Sequence, residues 1–250
     1  MLCRRSKGIG GTEKMEEITL CHLFPKLMSL YGGYGNIIVL KQLLEKNGYR
    51  VNVINSNEAP FFDRPCDFVY IGSGTDIALR AAAALIGPFA DSVRKSVEDG
   101  TPWLLTGNAL GMLTDTSLYE SGICVFPEIK TQKLNDKRYL GDILIDSDNV
   151  FGAPCVGFVN TQYGIPDFGT PLFNLRRLRG QKKEAPRKEG FKYNNLFATS
   201  VTGPVLAKNP HMLAYFASLI TGEEISVPRD SDIAKAYEIT FAELSARAHR

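Results

Sequence analysis

The stretch EDGTPWLLTGNALGML at residues 98–113 predicts a short buried strand that turns sharply at Gly107. Residues 103–106 are apolar enough for a central strand, and the residues after Gly107 favour a helix. A strand that turns into a helix in this way is the setting of a nucleophile elbow in many hydrolases. Glycine has no side chain that could attack an amide. The stretch therefore predicts the architecture of a catalytic turn without its reacting atom.

The segments around this turn alternate between strand-like and helix-like patterns. Strands are predicted at residues 18–23, 50–54, 68–71 and 103–106, and helices at residues 36–47, 76–85 and 89–98. This alternation indicates an α/β fold with a mainly parallel sheet and right-handed crossovers. Because ligands bind at the carboxyl edge of such sheets, residues 72–75 and 107–111 are expected to face each other across a crevice.

The rhythm changes after residue 123. Shorter strands are predicted at residues 140–145, 156–160 and 196–200, followed by closing helices at residues 209–220 and 233–246. No internal repeat is visible. We expect one domain over residues 15–250, preceded by a flexible arm at residues 1–14.

Composition and charge exclude several classes of function. The 29 basic and 27 acidic residues give a net charge of only +2, which provides no electrostatic case for nucleic acid or an anionic membrane. The sequence contains no run of about 18 apolar residues, the length that a bilayer-spanning helix needs. The basic cluster at residues 176–192 favours a solvated loop, with binding of a phosphate-rich ligand as the alternative.

The cysteines indicate a reduced, cytoplasmic protein. Cys3, Cys21, Cys66, Cys124 and Cys155 are odd in number and lack the CxxC spacing of a zinc site. We expect buried thiols rather than disulfides, with Cys21 and Cys155 in strands. The three histidines are too scattered to suggest a metal site, and the turn at residues 33–36 lacks the spacing of a nucleotide-binding loop. No cofactor is predicted.

Six blocks, in this order, resemble a known family: LYGGYGNIIVLKQLLEKNGY at residues 30–49, VYIGSGTD at 69–76, the stretch at 98–113, GDILIDSD at 141–148, GFVN at 157–160 and TGPVLAKNP at 202–210. The chain is similar to the cobyric-acid-synthase-like class I glutamine amidotransferases, in particular the glutaminase subunit of lipid II isoglutaminyl synthase. The resemblance implies a flavodoxin-like three-layer sandwich.

The resemblance also implies a chemistry and a partner. In that family a cysteine attacks the side-chain amide of glutamine, a histidine is its base, and backbone N–H groups stabilise the oxyanion. The released ammonia passes to a Mur-ligase-like synthetase subunit, which amidates D-glutamate of the cell-wall peptidoglycan precursor. A cytoplasmic heterodimer and a glutamine or other small amino-acid ligand are therefore expected.

The family's catalytic positions carry other residues here. Its cysteine falls on Gly107, its histidine on Thr202, and a second histidine on Thr161. Removing a nucleophile or its base costs on the order of a millionfold in kcat, so ordinary glutaminase activity is not expected. Cys124 and Cys155 are expected to be core thiols, since no base can be placed beside them.

Other parts of the family's site are retained. Residues 72–74 match a glycine-rich loop that supplies N–H groups to the oxyanion, and Arg138 falls near an arginine of the glutaminase site. That arginine either binds a carboxylate or forms a surface ion pair. The candidate substrate-binding residues are Gly72, Ser73, Gly74, Asn108, Arg138 and Asn160.

Three functions remain open at this point. The first is a degenerate amidotransferase that serves as a non-catalytic or regulatory subunit of a Mur-ligase-like amidating complex. The second is a working amidotransferase, supplying ammonia for amidation of lipid II or in cobyric-acid-synthase-like chemistry, with a non-standard nucleophile. The third is a small-molecule sensor.

Overall fold

A ten-stranded mixed sheet organises the chain, which we describe from a computed structural model. The structure describes residues 15–57, 65–115, 125–130, 132–133, 138–146, 149–161, 163–164, 171–176, 178 and 188–248. The strands are Glu17–Leu23 (β1), Arg50–Ser56 (β2), Phe68–Ile71 (β3), Trp103–Thr106 (β4), Thr114–Asp115 (β5), Phe126–Lys130 (β6), Gln132–Lys133 (β7), Tyr139–Ile145 (β8), Cys155–Thr161 (β9), Tyr163–Gly164 (β10), Pro171–Arg176 (β11), Lys188–Tyr193 (β12), Leu196–Thr199 (β13) and Val201–Thr202 (β14). The helices are Gly35–Lys46 (α1), Asp76–Ile86 (α2), Ala90–Glu98 (α3), Val205–Lys208 (α4), Pro210–Thr221 (α5) and Asp232–Ala248 (α6).

The strand order of the large sheet is β14-β9-β8-β11-β12-β13-β4-β3-β1-β2. In this order, neighbouring strands from β2 to β13 pair in parallel, and neighbouring strands from β13 to β14 pair antiparallel. The predicted α/β class is confirmed, but the sheet is less parallel than expected. Helix α1 joins the parallel strands β1 and β2, and helices α2 and α3 join the parallel strands β3 and β4. In the second half, β8 and β9, like β12 and β13, follow each other without an intervening helix and pair antiparallel.

The two faces of the sheet carry separate apolar cores. One face packs on α1 and α5 through buried residues such as Leu40 and Phe216. The other packs on α2 and α3 through residues such as Leu79 and Val93. The sheet therefore lies between two helical layers, and α6 covers β8 and β9.

The first half of the sequence predicts its elements closely, with β3 and β4 at the expected bounds. The expected helix after Gly107 is wrong, because a single 3₁₀ turn, Gly107–Gly111, is followed by the short strand β5. Its side chains explain the difference. Ala109, Leu110 and Met112 are all buried, so this segment enters the core and presents no solvated helical face.

The expected solvated loop at residues 176–192 is only partly correct. Residues 188–193 form β12, in which Phe191 is buried and pairs with Pro171 of β11. Residues 177 and 179–187 lie outside the described ranges, as does the arm predicted at residues 1–14. None of the helices in the described ranges is both long and apolar enough to cross a bilayer.

A disulfide joins Cys21 to Cys66, so the expectation of unpaired thiols is wrong at these positions. Cys21 lies on β1, and Cys66 immediately precedes the neighbouring strand β3. Their Cα atoms are 6.2 Å apart, within the range that a disulfide can bridge. The two residues are 45 positions apart in the chain, and only the adjacency of β1 and β3 brings them together.

Candidate functional site

The bend after β4 has no free space for a side chain at position 107. Gly107 is buried and has φ +64°, the left-handed conformation that favours glycine. A Cβ added there would lie 2.5 Å from Oγ of Ser73 and 2.6 Å from its Cβ. Atoms of these types do not approach so closely, so Ser73 occupies the space that a nucleophile at position 107 would need. Glycine at position 107 is thus matched to the position of its neighbour Ser73.

Asn108 joins this turn to the glycine-rich loop. Its Oδ1 accepts hydrogen bonds from Gly74 N (2.9 Å) and Ser73 Oγ (3.1 Å), and its Nδ2 donates to Gly74 O (2.7 Å). The expected approach of residues 72–75 and 107–111 is therefore confirmed. The N–H of Gly74, a candidate oxyanion donor, already has an acceptor within the chain.

Thr202 lies at the same edge of the sheet, and its hydroxyl is already hydrogen-bonded within the chain. Thr106 of β4 pairs with Thr199 of β13, so the positions of Gly107 and Thr202 follow the ends of adjacent strands. The Thr202 hydroxyl donates to Phe158 O at 3.0 Å, and the residue is buried. A threonine held in this way has no imidazole-like proton acceptor to offer. Thr161, at the end of β9, is buried as well.

Arg138 and Asn160 form a third group on the rim of the site. The Arg138 guanidinium donates to Asn160 Oδ1 at 2.6 Å, and Asn160 Nδ2 donates to the Tyr31 hydroxyl at 2.8 Å. Tyr31 itself has φ +61°, an uncommon conformation for a bulky residue. Within the described part of the chain, Arg138 bonds to a neutral carboxamide, and carboxylate binding and a surface ion pair stay predictions for it. Arg138 remains exposed and able to contact a ligand.

A buried polar group lies behind the turn, and sequence reasoning missed it. The Tyr70 hydroxyl is 2.9 Å from Thr106 Oγ1, and burial raises the pKa of Tyr70 to about 12. Asn36 donates to Gly203 O and accepts from Leu206 N, which ties α1 to the segment after Thr202. The available signal was the presence of polar residues at the ends of otherwise apolar strands.

His22 makes the stability of this region dependent on pH. The residue is buried, its Nε2 has no hydrogen-bond partner among the described residues, and burial lowers the pKa from 6.5 to about 4. The folded protein therefore resists protonation that the unfolded chain accepts, and stability present above pH 6.5 is lost as the pH falls towards 4. We expect His22→Phe to reduce this loss, measured by urea unfolding at pH 7 and pH 4.5. The same pH dependence of the free energy of unfolding in His22→Phe and in the unaltered protein would contradict this role of His22.

A thiol and an imidazole do meet elsewhere. Cys155 Sγ lies 3.0 Å from Nε2 of His211, so the expectation that no base stands beside Cys155 is wrong. The two residues are 56 positions apart and meet because the start of α5 lies beside the start of β9. Burial raises the pKa of Cys155 and lowers that of His211 to about 4. The pair is thus a neutral thiol and a neutral imidazole, and the expectation of a buried thiol at Cys155 is confirmed.

This pair is not part of the turn at Gly107. Cys155 begins β9, whereas Phe158, which accepts the bond from Thr202, lies three residues further along that strand. Cys124, the other thiol considered from the sequence, lies outside the described ranges.

Comparison with solved structures identifies the class of fold. No family model matches the chain. A solved structure titled "Crystal structure of glutamine amidotransferase" aligns with a TM-score of 0.51 and 15% identity, covering 80% of this chain and 98% of the other. The fold is therefore that of the class I glutamine amidotransferases.

Two curated relatives narrow the class. The lipid II isoglutaminyl synthase (glutamine-hydrolyzing) subunit GatD of Staphylococcus aureus (strain N315) is 36% identical over 214 residues, which cover 80% of this chain and 83% of the relative. The subunit of the same name from Streptococcus pneumoniae (strain ATCC BAA-255 / R6) is 29% identical over 232 residues, with 87% of each chain covered. The chain belongs to the GatD family of glutamine amidotransferase subunits, and the resemblance seen in its sequence is confirmed.

Proposed function

We propose that this chain is a non-catalytic or regulatory GatD-like subunit of a lipid II-amidating complex whose partner is a Mur-ligase-like synthetase. The relatives are named as subunits of lipid II isoglutaminyl synthase, which supports a role in the same kind of complex. In this proposal residues 15–250 act as one domain without a cofactor, and the complex is a cytoplasmic heterodimer. The Cys21–Cys66 disulfide is unusual for a reducing compartment, so cell fractionation is an informative test of location.

One observation carries the proposal of lost catalysis: the Ser73 side chain lies where the Cβ of a nucleophile at position 107 would lie. A missing side chain by itself would leave empty space beside position 107. Because Ser73 fills that space, the residues around Gly107 are packed for a glycine. The hydroxyl of Thr202, held by Phe158 O, supports the same conclusion at the histidine position.

Glutamine hydrolysis tests this directly. We expect no glutamate release above the buffer rate from the purified chain, alone or with its synthetase partner, because nucleophile and base are both absent. A GatD subunit that hydrolyses glutamine serves as the positive control in the same assay. Turnover within about a hundredfold of that control would overturn the proposal, since loss of the nucleophile costs far more.

The Cys155–His211 contact favours one alternative, a working amidotransferase with a displaced nucleophile. A nucleophile and its base normally lie within hydrogen-bonding distance, as these two do. Burial and the raised pKa of Cys155 oppose the thiolate that such an enzyme needs. We therefore expect an electrophilic glutamine analogue to leave Cys155 unlabelled, as measured by mass spectrometry of the intact protein and its peptides. Stoichiometric labelling that disappears in Cys155→Ala would favour the alternative.

A further inference from the structure

We propose that residues 72–75 form a primary-carboxamide recognition site whose ligand is supplied by the chain itself, the side chain of Asn108. This extends the proposed function, because it states what fills the crevice of a subunit that no longer hydrolyses glutamine. It is tested through stability, so it can fail while the proposal of lost hydrolysis stands.

Both ends of the Asn108 carboxamide are recognised. Its oxygen accepts from the backbone N–H of Gly74 and from the Ser73 hydroxyl, and its NH₂ donates to the carbonyl of Gly74. The bonds to Gly74 measure 2.9 and 2.7 Å. One backbone residue thus presents a donor and an acceptor to a single planar amide. This pattern selects a carboxamide, since a carboxylate lacks the donor and a hydroxyl cannot reach both groups.

The recognising loop is held in place by contacts that do not involve Asn108. The backbone N–H of Leu30 donates to Ser73 O at 2.8 Å. Thr75 Oγ1 accepts from Ala78 N at 3.2 Å and caps the start of α2. Because both sides of the loop are anchored, its donor and acceptor stay in position when the carboxamide is removed. Such pre-organisation is what a binding site for a small ligand requires.

The chemistry of the occupant identifies the class of ligand. The side chain of asparagine ends in the same group as that of glutamine and is one methylene shorter. A free primary amide and Asn108 would therefore compete for the same backbone groups of Gly74. While Asn108 is in place, free amides are excluded from this loop.

Chemical complementation tests the proposal. In Asn108→Gly, the methyl group of acetamide can take the place of the missing Cβ while its amide pairs with Gly74. We expect Asn108→Gly to lower Tm by about 2–12 °C, the range for losing these bonds in a chain of this size. High-millimolar acetamide should then restore at least about 2 °C relative to the variant alone, because a ligand that binds only the folded state raises Tm.

Asn57 provides the matched control. Its Oδ1 accepts from Lys26 N at 3.0 Å, a single bond to one end of the amide. Acetamide should give no comparable rise in Asn57→Gly or in the unaltered protein, and acetate should give none in Asn108→Gly. Equal responses of the two variants, or no response of Asn108→Gly, would overturn the proposal.

A second pair of variants decides the matter if Asn108→Gly does not fold. Asn57→Asp keeps the acceptor that Lys26 uses, whereas Asn108→Asp loses the donor to Gly74 O. We expect Asn108→Asp to lower Tm by at least about 4 °C more than Asn57→Asp at neutral pH, with failure to fold as the extreme of the same result. Equal Tm values would show that the NH₂ end is not recognised.

Discussion

Gly107→Ala is expected to destabilise the protein by about 2–5 kcal/mol, although it adds only one methyl group. The left-handed backbone at φ +64° costs an alanine about 1–2 kcal/mol. The close approach to Ser73 adds an overpacking cost of about 1–3 kcal/mol, because the new Cβ would lie 2.5 Å from its Oγ. Urea unfolding followed by circular dichroism measures the free energy of unfolding for both proteins.

Gly222 separates the two contributions. It has φ +72°, and a methyl group added there would have no heavy atom within 4 Å, so Gly222→Ala carries only the conformational cost. Ser73→Gly removes the other contribution, and Gly107→Ala should cost about 1–3 kcal/mol less in that background. An equal cost of Gly107→Ala with and without Ser73 would show that the serine does not fill the nucleophile's space.

The same geometry limits what reversion could achieve. A cysteine side chain at position 107 would overlap Ser73. Position 202 holds a threonine whose hydroxyl already donates to Phe158 O. Nucleophile, neighbour and base would all have to change before an acyl transfer could begin. Residues 73, 107 and 202 therefore belong to one site, in which Ser73 packs against Gly107 and the side chains of Ser73 and Thr202 are hydrogen-bonded within the chain.

The sequence predicted the position of this site but not its occupancy. The apolar runs of β3 and β4, followed by glycines, place the two loops at one edge of a parallel sheet, and the structure confirms that they meet. That Ser73 fills the space above Gly107 depends on a loop geometry with no periodic pattern. The two ends of the Asn108 carboxamide likewise find partners 34 residues away in the chain.

Contacts between distant segments account for the other differences. Cys21 and Cys66 meet because β1 and β3 are adjacent, and Cys155 and His211 meet because the start of α5 lies beside the start of β9. Spacing rules for cysteines consider neighbours in sequence, so neither pair was visible to them. The antiparallel half was also harder to predict, because short strands joined by polar turns do not fix which strands pair.

Asn209→Ala is expected to cost about 3–5 kcal/mol, a comparably large effect in the other half of the protein. The Asn209 side chain is fully buried; its Oδ1 accepts from Val156 N at 2.8 Å, and its Nδ2 donates to Val156 O and Val205 O at 2.9 Å each. These bonds fix β9 to the segment that carries Thr202 and α4. Alanine would leave a buried N–H and two buried carbonyls without this partner, at about 1–3 kcal/mol each before relaxation.

The exposed Asn47 is the control for this substitution, since its side chain makes one bond, from Nδ2 to Leu43 O at 2.8 Å. Asn47→Ala should cost about 1 kcal/mol or less, because water can replace a partner at the surface. Equilibrium urea unfolding compares the two variants with the unaltered protein. Because the side-chain hydrogen bonds of Asn209 go to Val156 and Val205, its loss should leave the acetamide response of Asn108→Gly unchanged. A cost for Asn209→Ala as small as that for Asn47→Ala would show that β9 and α4 are held by their apolar contacts alone.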